Sequence, residues 1–555
     1  MTNQRTILWA LFAAMLFLTW SKWQADRAPV IDPAQLVSEE ATDTSIPTGS
    51  APAEASSIDD LPVPSDGTQT GTSPVATAST PVEAEQFISI TTDVLDLRVS
   101  KTGGTLVSAA LRKYPKNKDE PDVPVQFLHN EKDATYILVS GLVDSARGGP
   151  THLAPLTSAT DSYKLDDSAD VLEVPLSWSS NGVAVEKIYR LKRGSYDIGV
   201  EYKVRNDSQQ DWRALSYLQI RKLHNPPERS MFNVDTYSFN GPVIYDGKKY
   251  DKLEPDDFVD EPVDQKLAGG WIASIEHHFL SAAVPPADAI YSYDANYEGG
   301  IVTLRANGPT RVVAPGTEEI FAADFFVGPK LQDQLEATAP GLPLTVDYGI
   351  LAILAQPLFW LLQKVYGLIG NWGWTIIFVT FLIKLAFYKL TEASGRSMAK
   401  MRKLQPRLKA IQERYKDDRQ ALSQHMMELY KREKVNPAAG CLPMVIQIPF
   451  FIAFYWVLLE SVEMRQAPFA LWITDLSSRD PYFVLPLLMG IAMFVQQKLN
   501  PAPPDPVQAK VMMVLPIMFT GFFAFFPSGL VLYWLTNSVL SVIQQWNINR
   551  KMEVD

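Results

Sequence analysis

Nearly every long apolar run in this chain lies after roughly residue 340, and the sequence before that point is polar and acidic. Such a division forces two folding problems on one polypeptide, a part that folds in water and a part that folds in lipid. The overall apolar content of 46% averages the two and describes neither. The net charge of -12 conceals a second asymmetry. No Lys or Arg lies between Arg27 and Arg98, whereas the segment from Thr391 to Lys434 is strongly basic. Basic loops stay on the cytoplasmic side and acidic ones translocate, so the two regions are predicted on opposite sides of a membrane. The single cysteine, Cys441, excludes an internal disulfide framework.

Within the apolar part, the stretch Asn371 to Leu390 reads as one membrane helix, transmembrane helix 2, carrying a lysine, Lys384. At 1.5 Å per residue, Lys384 falls roughly 20 Å from Trp372 and about 10 Å from the other end. An intramembrane cation costs about 2.5 to 3.5 kcal/mol on insertion scales and usually faces a bundle interior or wet cavity. The alternative is a lysine snorkelling to the nearer interface, as Lys389 does at the helix end. Thr380, Lys384 and Tyr388 recur at i, i+4 and predict one polar stripe.

In chain order, Ile7 to Trp20 is an apolar run with Arg5 before it and Trp20 and Trp23 at its far end, without a small-x-small cleavage site. It reads as an uncleaved anchor over 1–27. Residues 28–85 are rich in Pro, Ser, Thr, Ala and acids and read as a disordered acidic tether, which the family resemblance given below would place in the periplasm. Over 86–340 the pattern changes to short alternating runs, among them ISITTDVLDLRVS, VAVEKIYRL and EEIFAADFFVG, which predict a large antiparallel sandwich. His277 and His278 are adjacent on an expected strand, so they point to opposite faces and make a poor metal pair. No metal or cofactor site is expected. A carbohydrate-processing pair of scattered acids stays open, because such pairs leave no spacing signature.

The apolar run in 341–370 is interrupted by Gln356-Pro357 and Gln363-Lys364. It reads as an interfacial amphipathic helix, because if it crossed together with the Lys384 helix, the basic loop would fall on the side of the acidic tether. After transmembrane helix 2 at 371–390, residues 391–437 read as a cytoplasmic basic helical hairpin. Met398, Met401, Leu404, Leu408 and Ile411 recur at helical spacing in its first arm, and Leu422, Met426 and Leu429 in its second. Pro406 predicts an irregularity in the first arm. Exposed Met398 and Met401 with Arg402, Lys403 and Arg407 suit docking to RNA-rich or anionic partners. Ser397-Met-Ala-Lys400 matches a serine-acylase pattern but lacks its partner motifs.

Four further apolar segments fill 438–547, transmembrane helices 3 to 6, each about 15 to 19 residues against the roughly 20 that a bilayer core requires. A short tail, 548–555, follows. Short spans imply a thinned membrane. Gln447 lies between Pro443 and Pro449, and Asn537, Ser541 and Gln544 share one face of the last helix. With a lysine lacking an obvious intramembrane acid, these residues predict a hydrated groove holding Lys384, Thr380, Gln447, Asn537, Ser541 and Gln544.

The segments GNWGWTIIFVTF, YKREKVNPAAGCLPMVIQIPFFIAFYWVL, SVEMRQAPFALWITDLSSRDPYFVLP and FFPSGLVLYWLTN closely resemble the YidC membrane protein insertases. The resemblance covers essentially the whole chain and implies an α+β multidomain protein. Its expected parts are a polytopic helical bundle of about six transmembrane helices, five of them the conserved core, and a periplasmic antiparallel β-supersandwich. It implies a protein that inserts and folds nascent proteins into the bacterial inner membrane, alone or beside the Sec translocon. Insertion would proceed through a groove open to cytoplasm and lipid, with both termini cytoplasmic. The groove's positive residue, normally arginine, falls on Lys384; an ammonium lacks the bidentate fork of a guanidinium. Lys389 stands where the family often has proline, and the tail after Arg550 lacks the extended basic tail that some members use at the ribosome.

The mechanism this implies has the hairpin capture an apolar nascent segment and Lys384 attract acidic residues of its tail. The segment then slides along Pro449, Phe450, Phe454, Met518, Phe522 and Phe525 into lipid. Expected partners are nascent membrane proteins, the Sec translocon with its accessory subunits, ribosome or signal recognition machinery, and membrane lipids. No sequence-specific nucleic-acid binding, nucleotide loop or covalent chemistry is expected. The rival readings are a solute or ion transporter using Lys384 and a membrane-anchored carbohydrate-active protein.

Overall fold

The computed structural model describes residues 86–554 apart from 132, 145, 227–237, 260–261, 416–417, 434, 436–441 and 500–505. The expected anchor, the tether and Cys441 lie outside the described residues. The alternating runs from Phe87 onward pair as an eleven-stranded and an eight-stranded sheet. Neighbours are antiparallel except where Phe87–Thr91 meets Ser162–Lys164. Strand Val183–Lys192 shows why these sequences make a sandwich: Val183, Val185, Tyr189 and Leu191 are buried while Ala184, Glu186 and Arg190 alternate outward. Lys187 falls on the inward face. It is tolerated because its Nζ donates to the carbonyls of Gly103, Gly104 and Ser140 at 2.9, 2.8 and 3.3 Å. Tyr136 of one sheet and Ser281 of the other share a 2.7 Å hydrogen bond between the layers.

Nine α-helices follow among the described residues: α1 Gln332–Thr338, α2 Ala352–Ile369, α3 Trp372–Ala386, α4 Tyr388–Arg414, α5 Arg419–Arg432, α6 Leu442–Glu460, α7 Val484–Leu499, α8 Pro506–Phe523 and α9 Ser528–Val554. Asn371 caps α3 by accepting from the Trp374 amide at 3.1 Å. The predicted helix over 371–390 does not continue to Leu390. Phe387 leaves helical geometry, and the chain bends by 68° into α4. Neither Pro nor Gly marks the bend. Packing makes it, with the Phe387 ring edge-on to Phe450 of α6 at 5.0 Å and α4 drawn onto α9.

Helix α2 buries Ala355, Leu358, Phe359, Leu362 and Val365 against α3 and α6 and turns Ile353, Trp360, Lys364 and Leu368 outward. With its leading turn it is long and apolar enough to cross a membrane. Helices α6, α7 and α8 run for 19, 16 and 18 residues. Helices α7 and α8 approach closely at Gly490, where an added Cβ would stand 2.0 Å from the Thr520 hydroxyl.

The basic hairpin forms from α4 and α5 around Leu404, Leu408, Leu429, Tyr430 and Val435, with Met401, Ile411 and Met426 packed on that cluster. Helix α4 runs through Pro406 without a break. Pro406 is exposed, as is Arg402, whose carbonyl loses its partner, so water can serve that carbonyl and the helix persists.

Among the described residues the sandwich touches the membrane part at the loop after α6 and at the end of α6 itself. Arg465, in the loop after α6, donates to the Pro115 carbonyl at 2.9 Å in the hairpin between Leu106–Asn117 and Glu120–Glu131. The end of α6 meets a second set: His277 Nε2 donates to the Leu459 carbonyl at 2.9 Å and Ser238 Oγ to Glu460 at 2.7 Å. His277 and His278 are not strand residues. They occupy the turn between Trp271–Ile275 and Phe279–Val284, where alternation does not apply, and their rings stack at 3.8 Å.

Candidate functional site: a polar groove between α3, α6 and α9

The polar residues of three apolar helices converge near the α3–α4 bend. Lys384 lies in the last turn of α3 and donates to Ser541 Oγ of α9 at 2.8 Å. Ser541 Oγ in turn donates to the Asn537 carbonyl at 2.7 Å. Gln447 of α6 donates to Asn537 Oδ1 at 2.7 Å. One turn further along α9, Gln544 donates to the Tyr388 carbonyl at 3.4 Å. A small cavity lies over this cluster, lined by Ile383, Lys384, Phe387, Leu390, Thr391, Ile446 and Gln447. Lys384 forms no salt bridge among the described residues. Its charge is solvated by neutral oxygen, which leaves an anion attractive there.

Four of the six predicted groove residues, Lys384, Ser541, Asn537 and Gln447, therefore meet, and Gln544 lies a turn along α9 against the Tyr388 carbonyl. Thr380 does not join them: it is 1% exposed and donates to the Ile376 carbonyl of its own helix at 2.6 Å. The stripe also fails at Tyr388, because the bend carries it onto α4.

The predicted sliding surface divides in the same way. Met518 and Phe522 of α8 and Phe525 in the turn after it are exposed, and Pro449 and Phe450 of α6 are half-buried. Phe454 is a correction. It is fully buried, stacked on Tyr533 of α9 at 4.4 Å, because it shares the inward face of α6 with Ala453, Val457 and Leu458. The outward face of α6 carries Ile448 and Ile452 instead.

In the hairpin, Arg402 and Lys403 are exposed and Met398 is half-buried. Met401 packs into the hairpin core and is not free to dock. Arg407 is paired with Glu433 at 2.8 Å. Sequence reasoning overlooked the junction at the end of α6; the signals were Glu460 closing an apolar run and the His277–His278 pair.

Two family models match. One, described as YidC periplasmic domain, covers residues 87–361, and the other, 60Kd inner membrane protein, covers 361–555. A membrane protein insertase YidC of Thioalkalivibrio sulfidiphilus is 46% identical over 568 aligned residues, covering 100% of this chain and 99% of the relative. The chain belongs to the YidC membrane protein insertase family. Relatives of the same name from Nitrosococcus oceani and Methylococcus capsulatus are 44% and 46% identical, each covering 100% of this chain and 99% of its own length. Membership makes the chain an inner-membrane protein with a periplasmic domain, and the two sheets are that domain. No observation favours the solute-transporter or carbohydrate-active readings.

Proposed function

We propose that this insertase inserts and folds nascent membrane proteins into the bacterial inner membrane, alone or with the Sec translocon and its accessory subunits. The groove beside Lys384 is the entry point. The observation that carries the reading is the lysine held by Ser541, with no carboxylate partner among the described residues. A substrate tail bearing Asp or Glu supplies that partner transiently, and the attraction lapses when the tail leaves on the periplasmic side. The apolar segment moves over Met518 and Phe522 of α8 and Phe525 in the turn that follows, all of them exposed. Its transfer into lipid drives the process, at about 0.8 kcal/mol per buried methylene. No covalent step is involved. The amphipathic α2 rests in the interface with Trp360 and Lys364 outward. The hairpin receives clients from the ribosome or signal recognition machinery through Arg402 and Lys403, which are exposed on its first arm.

The test uses purified protein in proteoliposomes with a single-span substrate bearing an acidic tail. Lys384→Arg is expected to retain insertion, Lys384→Ala to lose roughly tenfold, the value of one charge-assisted hydrogen bond, and Lys384→Glu to lose more. Equal insertion by all three variants removes Lys384 from the mechanism.

A further inference from the structure

Helix α9 is 27 residues long, about 40 Å, against a hydrocarbon core of roughly 30 Å. Its last turns therefore stand beyond the lipid, where α4 lies against them. Asn537, Ser541, Gln544 and Ile548 recur at i, i+4, i+7 and i+11 and share one face of α9. That face serves the groove first: Ser541 accepts from Lys384 at 2.8 Å, and Gln544 reaches the Tyr388 carbonyl at the start of α4 at 3.4 Å. Two turns past Ser541, the buried Ile548 meets Gly395 of α4.

The approach at Gly395 is close. An added Cβ would stand 2.7 Å from Ile548 Cδ1 and 3.1 Å from Gln545 Oε1. Gly395 lies inside a 27-residue helix, where glycine is among the least favourable residues, so the contact with α9 is what its missing side chain serves. Ser394 and Ala399 are buried along with it. Asn549 donates to the Leu499 carbonyl at the end of α7 at 3.5 Å, which anchors this part of α9 in turn. The chain bends by 68° between α3 and α4, so the course of the hairpin past Phe387 is not a continuation of α3.

We propose that Gly395 and Ile548 form a seat that sets the direction in which the hairpin leaves the groove. Helix α9 then holds the groove lysine and the base of the hairpin on one face, and keeps the two in register. Gly395 and Ile548 are positioning residues and touch no substrate. The functional consequence rests on the reading given above, in which the hairpin receives clients and passes them to the groove beside Lys384.

The full chain in nanodiscs and proteoliposomes tests this in a Cys441→Ser background. Spin labels on Lys409→Cys in the first arm and Ile543→Cys in α9 report the direction of the hairpin, and insertion of the acidic-tailed substrate is measured on the unlabelled chain. Gly395→Val is expected to shift the mean label distance and to lower insertion roughly tenfold, the effect of one overpacked contact. Ile548→Ala added to Gly395→Val makes room for the new side chain and is expected to restore both. Ile548→Ala alone leaves the seat unfilled and is expected to broaden the distance distribution, a readout that stands even where Gly395→Val fails to fold. An unchanged distance in Gly395→Val, no recovery of it in the double variant, or an unbroadened distribution in Ile548→Ala overturns the seat. Distances that shift and recover while insertion stays at the parent level uphold the seat and overturn the hand-over reading on which its consequence rests.

Discussion

Single residues are placed here by the demand that a buried polar atom find a partner. Lys187 finds three carbonyls between the sheets, and Lys384 finds a serine between helices. Asp197 is less well served. One of its carboxylate oxygens is buried without a hydrogen-bond partner, and burial, then the charge of Asp324, pushes its pKa up from 3.8 to about 7. An acid whose folded value is raised costs no stability below its unfolded value. The cost enters as pH climbs from about 4 to about 7 and is complete above that. The sandwich is therefore expected to melt at progressively lower temperature across that window, and Asp197→Asn to flatten the dependence. Calorimetry of the full chain at several pH values checks this, and parallel slopes for parent and variant count against it. None of this is visible in sequence, because Asp197 and Asp324 are far apart in the chain and meet only through strand pairing.

Elements were legible wherever one periodicity ruled. The sandwich strands and the hairpin positions Leu404, Leu408, Met426 and Leu429 lie where their spacing predicts. Failures occurred where an element answers to its neighbours. Helix α3 stops at Ala386 because of Phe450 and α9, and Phe454 faces inward because Tyr533 receives it. The α7–α8 seam makes the same point through Gly490, which lets the helices meet at Thr520. In lipid, helices associate through close packing, so a side chain here has no compensating gain. Gly490→Val is expected to destabilise the bundle by about 1–3 kcal/mol, the usual cost of overpacking. Unfolding in a mild detergent measures it; a midpoint equal to the parent's would show that the seam can open without loss.

At the scale of the whole molecule, charge arranges the parts and contacts lock them. The absence of Lys and Arg between Arg27 and Arg98 favours crossing of the sandwich, and by the same rule the basic hairpin is expected to stay behind. Four lysines introduced within residues 28–85 are expected to retain the sandwich on the cytoplasmic side in a fraction of molecules. Protease protection of spheroplasts reads this out directly; complete accessibility of the sandwich would mean that other signals set topology. Once across, the sandwich is held by Arg465 on one strand hairpin and by the His277 turn on α6.

The sequence by itself determined the division between sheets and apolar helices, the sandwich, the helical hairpin and four polar residues that meet near the α3–α4 bend. Hydrophobic periodicity, charge bias and polar residues in apolar helices are local quantities, and each was readable without a partner. The tertiary structure alone decided the bend at Phe387, the inward faces of Thr380 and Phe454, and the contact of His277 with the end of α6. Those depend on which surface comes to lie opposite, and the residues concerned stand far apart in the chain, as His277 does from Leu459.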